Sequence, residues 1–265
     1  MKASPQSLYI AIAGITIQIV FYPSTTPVSQ KFIIATVSKQ YRGFLTDTKP
    51  KKIDYRIEFV DINELKIQRK KNLYSVLFFE EKGTKTIFTY YHISIVHFYF
   101  IVRKILIKSL GERGFFLHSS ASFVRKQAFL FVGRAEAGKT TAMMFLRKKH
   151  RPLADDHGLI KKEAGKFYYY QVPFFEKNQS MIKKSMQRYE LGKLFFLKKA
   201  RFFAIKNLAD KNRILPLIME QLWIDDEYLQ QHTKVVFDFV KRFNKFFYLY
   251  FAKDEKKLIE LIDRA

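Results

Sequence analysis

The stretch FVGRAEAGKTTAMMFLRKKHRPLADD, residues 131–156, decides the fold. Within it, residues 133–140 read GRAEAGKT and fit the phosphate-loop pattern G-x-x-x-x-G-K-[ST]. An apolar strand at 128–132 precedes the loop and a short helix at 139–149 follows it, so the loop amides lie at a helix N-terminus that favours anions. The sequence therefore predicts a nucleotide-binding loop. Its predicted contact residues are Gly133, Arg134, Ala135, Glu136, Ala137, Gly138, Lys139, Thr140 and Thr141.

Two adjacent acids, Asp155 and Asp156, follow this loop unusually early. A helix of about ten residues spans roughly 15 Å, and a return strand at 151–154 brings the acids back to the level of the loop. The C-terminal ends of parallel strands share one sheet edge, where α/β folds bind ligands. Neighbouring residues of a strand point in opposite directions, so the two acids are suited to different roles. One is expected to hold a metal ion and the other to accept a proton from an incoming hydroxyl.

The amino-acid composition limits the classes of protein to which this chain can belong. The chain has 265 residues, 48% of them hydrophobic, a formal net charge of +24, and no Cys, which excludes disulfides and Cys-ligated metal sites. The positive charge favours either a polyanionic partner or a plain compositional bias, and its even spread along the chain favours the bias. The apolar run 8–22 is interrupted by Gly14 and Gln18, and the run 93–102 is shorter than the roughly 20 residues of a membrane span. A cytoplasmic protein that does not associate with membranes is expected.

Three segments are predicted: a small β-rich domain at 1–91, a connecting helix at 92–113, and an α/β domain at 114–265. Strands are expected at LYIAIAG, ITIQIVFY, YRIEFV, LYSVLFF, KTIFTYY, FFLHSSA, QAFLFVG, RPLADD, LFFLKKA, FFAIKN and FFYLYFA, with a hairpin in HGLIKKEAGKFYYY that turns at Ala164 and Gly165. Helices are expected at 215–220, at 226–243 and in DEKKLIELIDR.

The motifs LHSSA (117–121), GRAEAGKTT and LADD (153–156), in that order, resemble the HPr kinase/phosphorylase family. They are also distantly similar to ATP-dependent phosphoenolpyruvate carboxykinase, in which GKTT and a nearby DD–HG pairing recur; DDHG is 155–158 here. YELGKLFFLKK (189–199) is similar to the strand region that follows in the kinase-like members. The resemblance covers about 111–200, and is weaker towards the C-terminus. The first third is closer to the small β-rich front end of kinase-like proteins found beside peptide-modification genes.

This resemblance implies a P-loop kinase domain of the HPr kinase/phosphoenolpyruvate carboxykinase type with a mixed sheet, preceded by a small α+β domain. It implies transfer of the γ-phosphoryl group of ATP, with Mg²⁺, to a serine-type hydroxyl of a peptide or small protein. By position, Asp155 matches the acid that activates this hydroxyl, and Asp156 its metal-associated neighbour. The other residues carried over are Lys139 on the phosphates, Thr140 on the metal, His118 near the phosphates, and Arg188 as the nearest candidate for a transition-state arginine.

Two loop residues depart from the family, which usually has Ser and Gly where this chain has Ala135 and Glu136. Glu136 places a negative charge near the phosphates and lacks the conformational freedom of glycine. These departures keep a second hypothesis open, a non-catalytic ATP-binding module that regulates a partner. A kinase of free serine or another small molecule, and a nucleic-acid-stimulated nucleotide hydrolase, are further alternatives. The aromatic runs indicate a hydrophobic core more than a nucleic-acid-binding surface. A homo-oligomer is also compatible with the sequence.

Overall fold

The structure is a computed structural model that describes residues 4–61, 78–223 and 226–265. The chain divides into two compact units, Met1–Ser109 and Leu110–Ala265. Most of the predicted strand LYSVLFF lies outside the described residues. Among the described helices, none combines the length and the apolar character needed to cross a bilayer.

The first unit is built on a sheet with the order β1-β2-β3-β5-β4 within the described residues. Its central pairs β2–β3 and β3–β5 are parallel, and its outer pairs are antiparallel. The predicted strands at 55–60 and 85–91 and the hairpin around Gly14 are confirmed. The elements are β1 (Gln6–Ile12), β2 (Ile15–Phe21), α1 (Pro27–Gln40), β3 (Tyr55–Val60), β4 (Phe78–Glu80), β5 (Thr86–Tyr90) and α2 (Ile95–Leu110).

Aromatic packing explains why two helices cover this sheet. The ring of Tyr41, at the end of α1, lies 5.4 Å from that of Phe98 in α2, and Phe98 lies 5.7 Å from Phe59 in β3. All three side chains are fully buried. The predicted helix near 92–110 is confirmed as α2, whereas α1 was not predicted.

The second unit contains, among the described residues, a nine-stranded mixed sheet with the order β6-β10-β11-β12-β8-β7-β9; β14 also pairs with β12, and β13 with β14. Its strands are β6 (Gly114–His118), β7 (Ser120–Val124), β8 (Gln127–Val132), β9 (Arg151–Ala154), β10 (His157–Glu163), β11 (Lys166–Tyr170), β12 (Arg188–Lys199), β13 (Ala204–Asn207) and β14 (Phe246–Phe251). Its helices are α3 (Lys139–Leu146), α4 (Lys211–Met219), α5 (Leu229–Arg242) and α6 (Glu255–Arg264). The unit is therefore α/β with a mixed sheet.

Two apolar clusters cover the two faces of this sheet. One joins α4 and α5 to the sheet through residues such as Ile218 and Phe239. The other joins α3 and α6 through Leu146 and Leu258. This layered arrangement, with helices on both faces, presents the ends of the strands as the accessible edge.

Strand directions bring the loop and the acids to the same edge. β7 pairs antiparallel with both β8 and β9, so β8 and β9 run in the same direction with β7 between them. The predicted common edge for the ends of these strands is confirmed. The central strand β8 also pairs parallel with β12.

Several predicted boundaries were wrong. FFLHSSA is two strands, because the Ser119 amide donates a 3.1 Å hydrogen bond to the Asp156 carbonyl and the chain changes partners there, from β10 to β8. Helix α3 ends at Leu146 rather than 149, since the amides of Lys149 and His150 both turn back to the Leu146 carbonyl. Helix α4 starts at Lys211, where the Asp210 carboxylate caps the Asn212 amide.

Candidate functional site

The glycine-rich loop 133–138 joins the end of β8 to the start of α3, as predicted. A turn inside it is closed by the Ala137 amide, which donates to the Arg134 carbonyl at 3.1 Å. Gly138 has a φ of +102°, and a Cβ there would lie 2.8 Å from the ring of Phe251. Only glycine fits this position, which sets the first turn of α3 directly behind the loop.

Glu136 adopts a left-handed backbone conformation, with a φ of +63°. For a residue with a Cβ this conformation costs about 1–2 kcal/mol. The side chain is exposed. Position 136 therefore has the backbone geometry that glycine favours, and glycine is the residue that the resemblance leads us to expect there. The glutamate occupies this position under strain.

Lys139 closes over the start of the loop. Its ammonium donates hydrogen bonds of 2.7 Å to the Gly133 carbonyl and 3.3 Å to the Arg134 carbonyl. Burial lowers the pKa of Lys139, while the negative charges of Asp156 and Asp155 act to raise it. The ammonium is therefore held on the loop carbonyls, and the two acids are near enough to act on its charge. Thr140 and Thr141 follow in the first turn of α3, and both are partly buried.

Asp155 is held inside the protein. Its side chain is buried, its amide donates a 3.0 Å hydrogen bond to Glu176 Oε2, and its Oδ2 accepts one of 2.6 Å from Asn178. Its Oδ1 is also buried and has no hydrogen-bond partner among the described residues. A buried carboxylate oxygen without a partner is uncommon, and a catalytic role or a bound ion is among the explanations for it.

Asp156 points the other way, towards two histidines. It is 41% exposed, and its carboxylate oxygens lie 3.2 Å from His118 Nε2 and 3.5 Å from His157 Nε2. One ligand atom from each of the three residues lies within 4.8 Å of the others, a spacing that can hold a metal ion. Burial lowers the pKa of His118, opposed by Asp156 and reinforced by Lys139. His157 was not predicted, although the sequence DDHG contains it.

A cavity of about 480 Å³ opens beside these groups. Four of the predicted site residues line it, whereas Asp155 and Asp156 do not. An unpredicted aromatic pair also lines it, in which Trp223 stacks on His157 with ring centroids 4.2 Å apart. No motif in the sequence identified Trp223. The lining residues are His118, Arg134, Ala135, Lys139, His157, Glu220, Gln221, Leu222 and Trp223. Arg134 bridges to Glu220, with Nε 2.7 Å from Oε1.

A buried ion pair lies next to Asp155 and includes Glu176, which accepts the hydrogen bond of the Asp155 amide. Glu176 and Lys184 are both buried, with Nζ 3.3 Å from Oε1. Burial raises the pKa of Glu176, although Lys184 opposes it, and burial lowers the pKa of Lys184. Because buried pairs add little net stability, positioning is a better explanation for these two charges than stability.

Arg188 does not reach the site. It stands at the start of β12, pairs with Glu163 at 2.9 Å, and lies over the ring of Tyr168 at 4.5 Å. In the parallel pairing with β8, Phe196 is the residue level with Val132. At roughly 3.3 Å per residue, Arg188 lies about 25 Å away, towards the opposite edge of the sheet. The structure therefore does not bring it near a bound phosphate.

Comparison with known proteins does not assign the chain to a family. No family model matches the chain, and no curated protein matches it. Among solved structures, the chain is similar to the Hpr(Ser) kinase/phosphatase from Coxiella burnetii, at 12% identity and a TM-score of 0.26. The match covers 35% of this chain and 72% of that one. The geometry of the site itself is therefore the basis for a function.

Proposed function

We propose that this protein binds ATP at the loop 133–138 and transfers its γ-phosphoryl group to a serine-type hydroxyl of a peptide or small protein. The observation that carries this proposal is that Lys139, bonded to the Gly133 and Arg134 carbonyls, lies at the same sheet edge as Asp155 and Asp156. A cation that neutralises phosphates and a pair of acids at one sheet edge are the parts that phosphoryl transfer requires.

The loop supplies the phosphate contacts. The first backbone amides of α3 have no partner within the helix, so they and the helix dipole are available to phosphate oxygens. Lys139 exchanges its bonds to the Gly133 and Arg134 carbonyls for bonds to the β- and γ-phosphates. This exchange moves one flexible side chain and leaves the backbone in place.

Asp155 accepts the proton of the acceptor. The acceptor oxygen forms a bond to the γ-phosphorus, the bond from that phosphorus to the bridging oxygen breaks to release ADP, and the hydroxyl proton passes to Asp155. Oδ1 of Asp155 is the oxygen without a partner, while Oδ2 is already occupied by Asn178. The carboxylate is therefore fixed in orientation, with one buried oxygen that has no hydrogen-bond partner among the residues that the structure describes and can accept the proton.

Asp156 and Thr140 are the residues that would hold Mg²⁺, because hydroxyl and carboxylate oxygens are its preferred ligands. When bound, the metal neutralises charge that develops on the γ-phosphoryl oxygens. His118 and His157 flank Asp156 within reach of the same ion. Imidazole nitrogens suit Zn²⁺ better than Mg²⁺, so this donor set also fits a transition metal.

The test is phosphoryl transfer by the purified chain. The chain and its Asp155→Asn variant are incubated with ATP labelled at the γ-position and a set of serine peptides, small proteins and free serine. We expect labelled product with the unmodified chain and its loss in the variant. Absence of product from all acceptors in both proteins, with ATP binding intact, would refute the kinase proposal.

That last result would favour a second candidate, a nucleotide-binding module without catalysis. The strained, negatively charged Glu136 in the loop is the observation that favours it. Calorimetry distinguishes the two functions: the module binds ATP without turnover, and its affinity does not depend on Asp155.

A further inference from the structure

The connection between β11 and β12 is far longer than their geometry requires. The two strands are antiparallel neighbours, which are usually joined by about two to five residues. Here residues 171–187 join them, with a 3-10 turn at Gln179–Met181 as their regular structure. Connections longer than about 12–15 residues in compact domains are usually functional.

This 171–187 loop is held in shape by polar contacts on its inner side. The Gln171 amide donates a 2.7 Å hydrogen bond to the Leu153 carbonyl, and its side-chain oxygen accepts one of 3.1 Å from the Ser185 amide. Lys184 donates a 2.6 Å hydrogen bond to the Phe174 carbonyl and pairs with Glu176. The two ends of the loop are thus tied together and to β9.

The same loop supplies both contacts that fix Asp155. Glu176 accepts the hydrogen bond of the Asp155 amide, and Asn178 donates to its carboxylate. The loop therefore adjoins the proposed proton acceptor through its inner side.

Three apolar side chains of this loop are exposed, and together with the exposed cations beside them they form what we call its outer surface. Phe175 is 65% exposed, Met186 44% and Met181 41%. Aromatic and methionine side chains are enriched in protein interfaces, and methionine adapts its shape to varied partners.

The surface is also positively charged. Lys177 and Lys183 are exposed on the loop, and Arg147, after α3, contacts the Met181 sulfur at 2.8 Å. Within the described ranges none of these three cations forms an ion pair with an acid. Glu176, the acid of this loop, is buried. The charge of the surface is therefore complementary to an acidic partner.

We propose that the outer surface of the 171–187 loop docks an acidic segment of the acceptor, with apolar side chains and the phosphorylated serine in the same segment. This inference rests on the proposed kinase function and specifies its substrate. A peptide fits better than a nucleic acid, because nucleic-acid strands are bound by rows of stacking aromatics, whereas this loop exposes one aromatic ring and two thioethers.

The test measures docking without nucleotide. A fluorescent peptide with one serine flanked by Glu and Leu residues is titrated with the full chain, and its anisotropy is followed. The loop variant combines Lys177→Glu with Lys183→Glu. The control variant combines Lys166→Glu with Lys256→Glu, which changes the net charge by the same amount at exposed positions outside the loop. We expect about tenfold weaker binding for the loop pair and less than about twofold for the control pair. Phe175→Ser should also weaken binding while the melting temperature stays constant.

Three outcomes would overturn the docking proposal: equal loss in both double variants, equal binding of a peptide with Lys in place of Glu, or tighter binding of an oligonucleotide of matched charge at the same two lysines. Transfer assays keep the two proposals apart. Docking without transfer contradicts the kinase function alone. Transfer to serine peptides regardless of their charge, unchanged by the loop variants, contradicts the docking surface alone.

Discussion

The side-chain amide of Asn178 donates a 2.6 Å hydrogen bond to Oδ2 of Asp155, and Oδ1 of the same carboxylate is buried without a hydrogen-bond partner in the described part of the chain. One oxygen is thus used for orientation and the other is left for chemistry. The donor that orients the acid comes from the loop that we propose docks the acceptor. In these two proposals, substrate capture and proton acceptance therefore depend on the same short segment.

Asp155→Asn should lower the rate of phosphoryl transfer about 10²–10⁴-fold, because the proton of the attacking hydroxyl loses its acceptor. ATP affinity should change little, since in our proposal the loop and Lys139 make the phosphate contacts. Asn178→Ala should reduce kcat by a smaller factor and leave the ATP affinity unchanged. Initial rates and calorimetry on both variants check this. A variant Asp155→Asn that transfers at the normal rate would exclude the acid from proton transfer.

Glu136→Gly should stabilise the protein by about 1 kcal/mol, because glycine adopts the left-handed conformation without strain. Glu136→Ala is the matched control, since it removes the same charge but keeps the Cβ. Both variants should bind ATP more tightly, and glycine alone should raise the melting temperature. Thermal denaturation and ATP titration separate strain from charge. Equal melting temperatures in the two variants would contradict the strain argument.

The ions bound beside Asp156 should include Zn²⁺, with an affinity that depends on both neighbouring histidines. His118→Asn and His157→Asn should each weaken Zn²⁺ binding by at least about tenfold, the cost of losing even an outer-shell partner of a metal site, measured by calorimetry in the absence of nucleotide. Trp223→Phe keeps an aromatic ring against His157 and serves as the control. Zn²⁺ affinity that is the same in all three variants would remove the histidines from the metal site.

Stability should depend on pH through Asp263, on α6. Burial acts to raise the pKa of this carboxyl, but hydrogen bonds from Lys149 at 2.6 Å and His150 at 2.9 Å outweigh it and lower the pKa below 3.8. The unfolded state thus binds the proton more readily than the folded state, so this stabilisation is present above pH 3.8 and is lost as the pH falls through the folded-state pKa.

The variant Asp263→Asn should therefore melt at a lower temperature than the unmodified chain at pH 7. The difference should shrink as the pH is lowered below 3.8. Melting curves across this range test the prediction, and Glu260→Gln, an exposed change on the same helix, is the control. A difference that is constant with pH would assign the effect to something other than this ion pair.

Local features of the second unit were predictable from the sequence. The strand–loop–helix around Gly138 and the hairpin at Ala164 depend on neighbouring residues, and both are confirmed. The shared edge of loop and acids followed from counting helix and strand lengths. In the first unit, α1 was missed although Pro27 at its start was a signal, because Thr26 makes no side-chain cap and the helix exposes apolar residues such as Phe32.

Features that depend on distant strand pairing were not predictable. Arg188 lies 32 residues after Asp156 in sequence, but its distance from the loop depends on the register of β12 against β8. Trp223 joins the site because the chain returns there after α4, and its amide bonds to the Phe116 carbonyl at 3.3 Å. Neither position carries a local pattern.

The pairing of β8 with β12 has a consequence for the order in which the chain is made. Strand β12, which pairs with one edge of β8, begins only at Arg188. The ribosome therefore synthesises the loop, both acids and both histidines before it synthesises this neighbouring strand. A nascent chain released before that point should hold the loop sequence without a nucleotide site. Binding of ATP would therefore begin late in synthesis, when most of the protein has already left the ribosome.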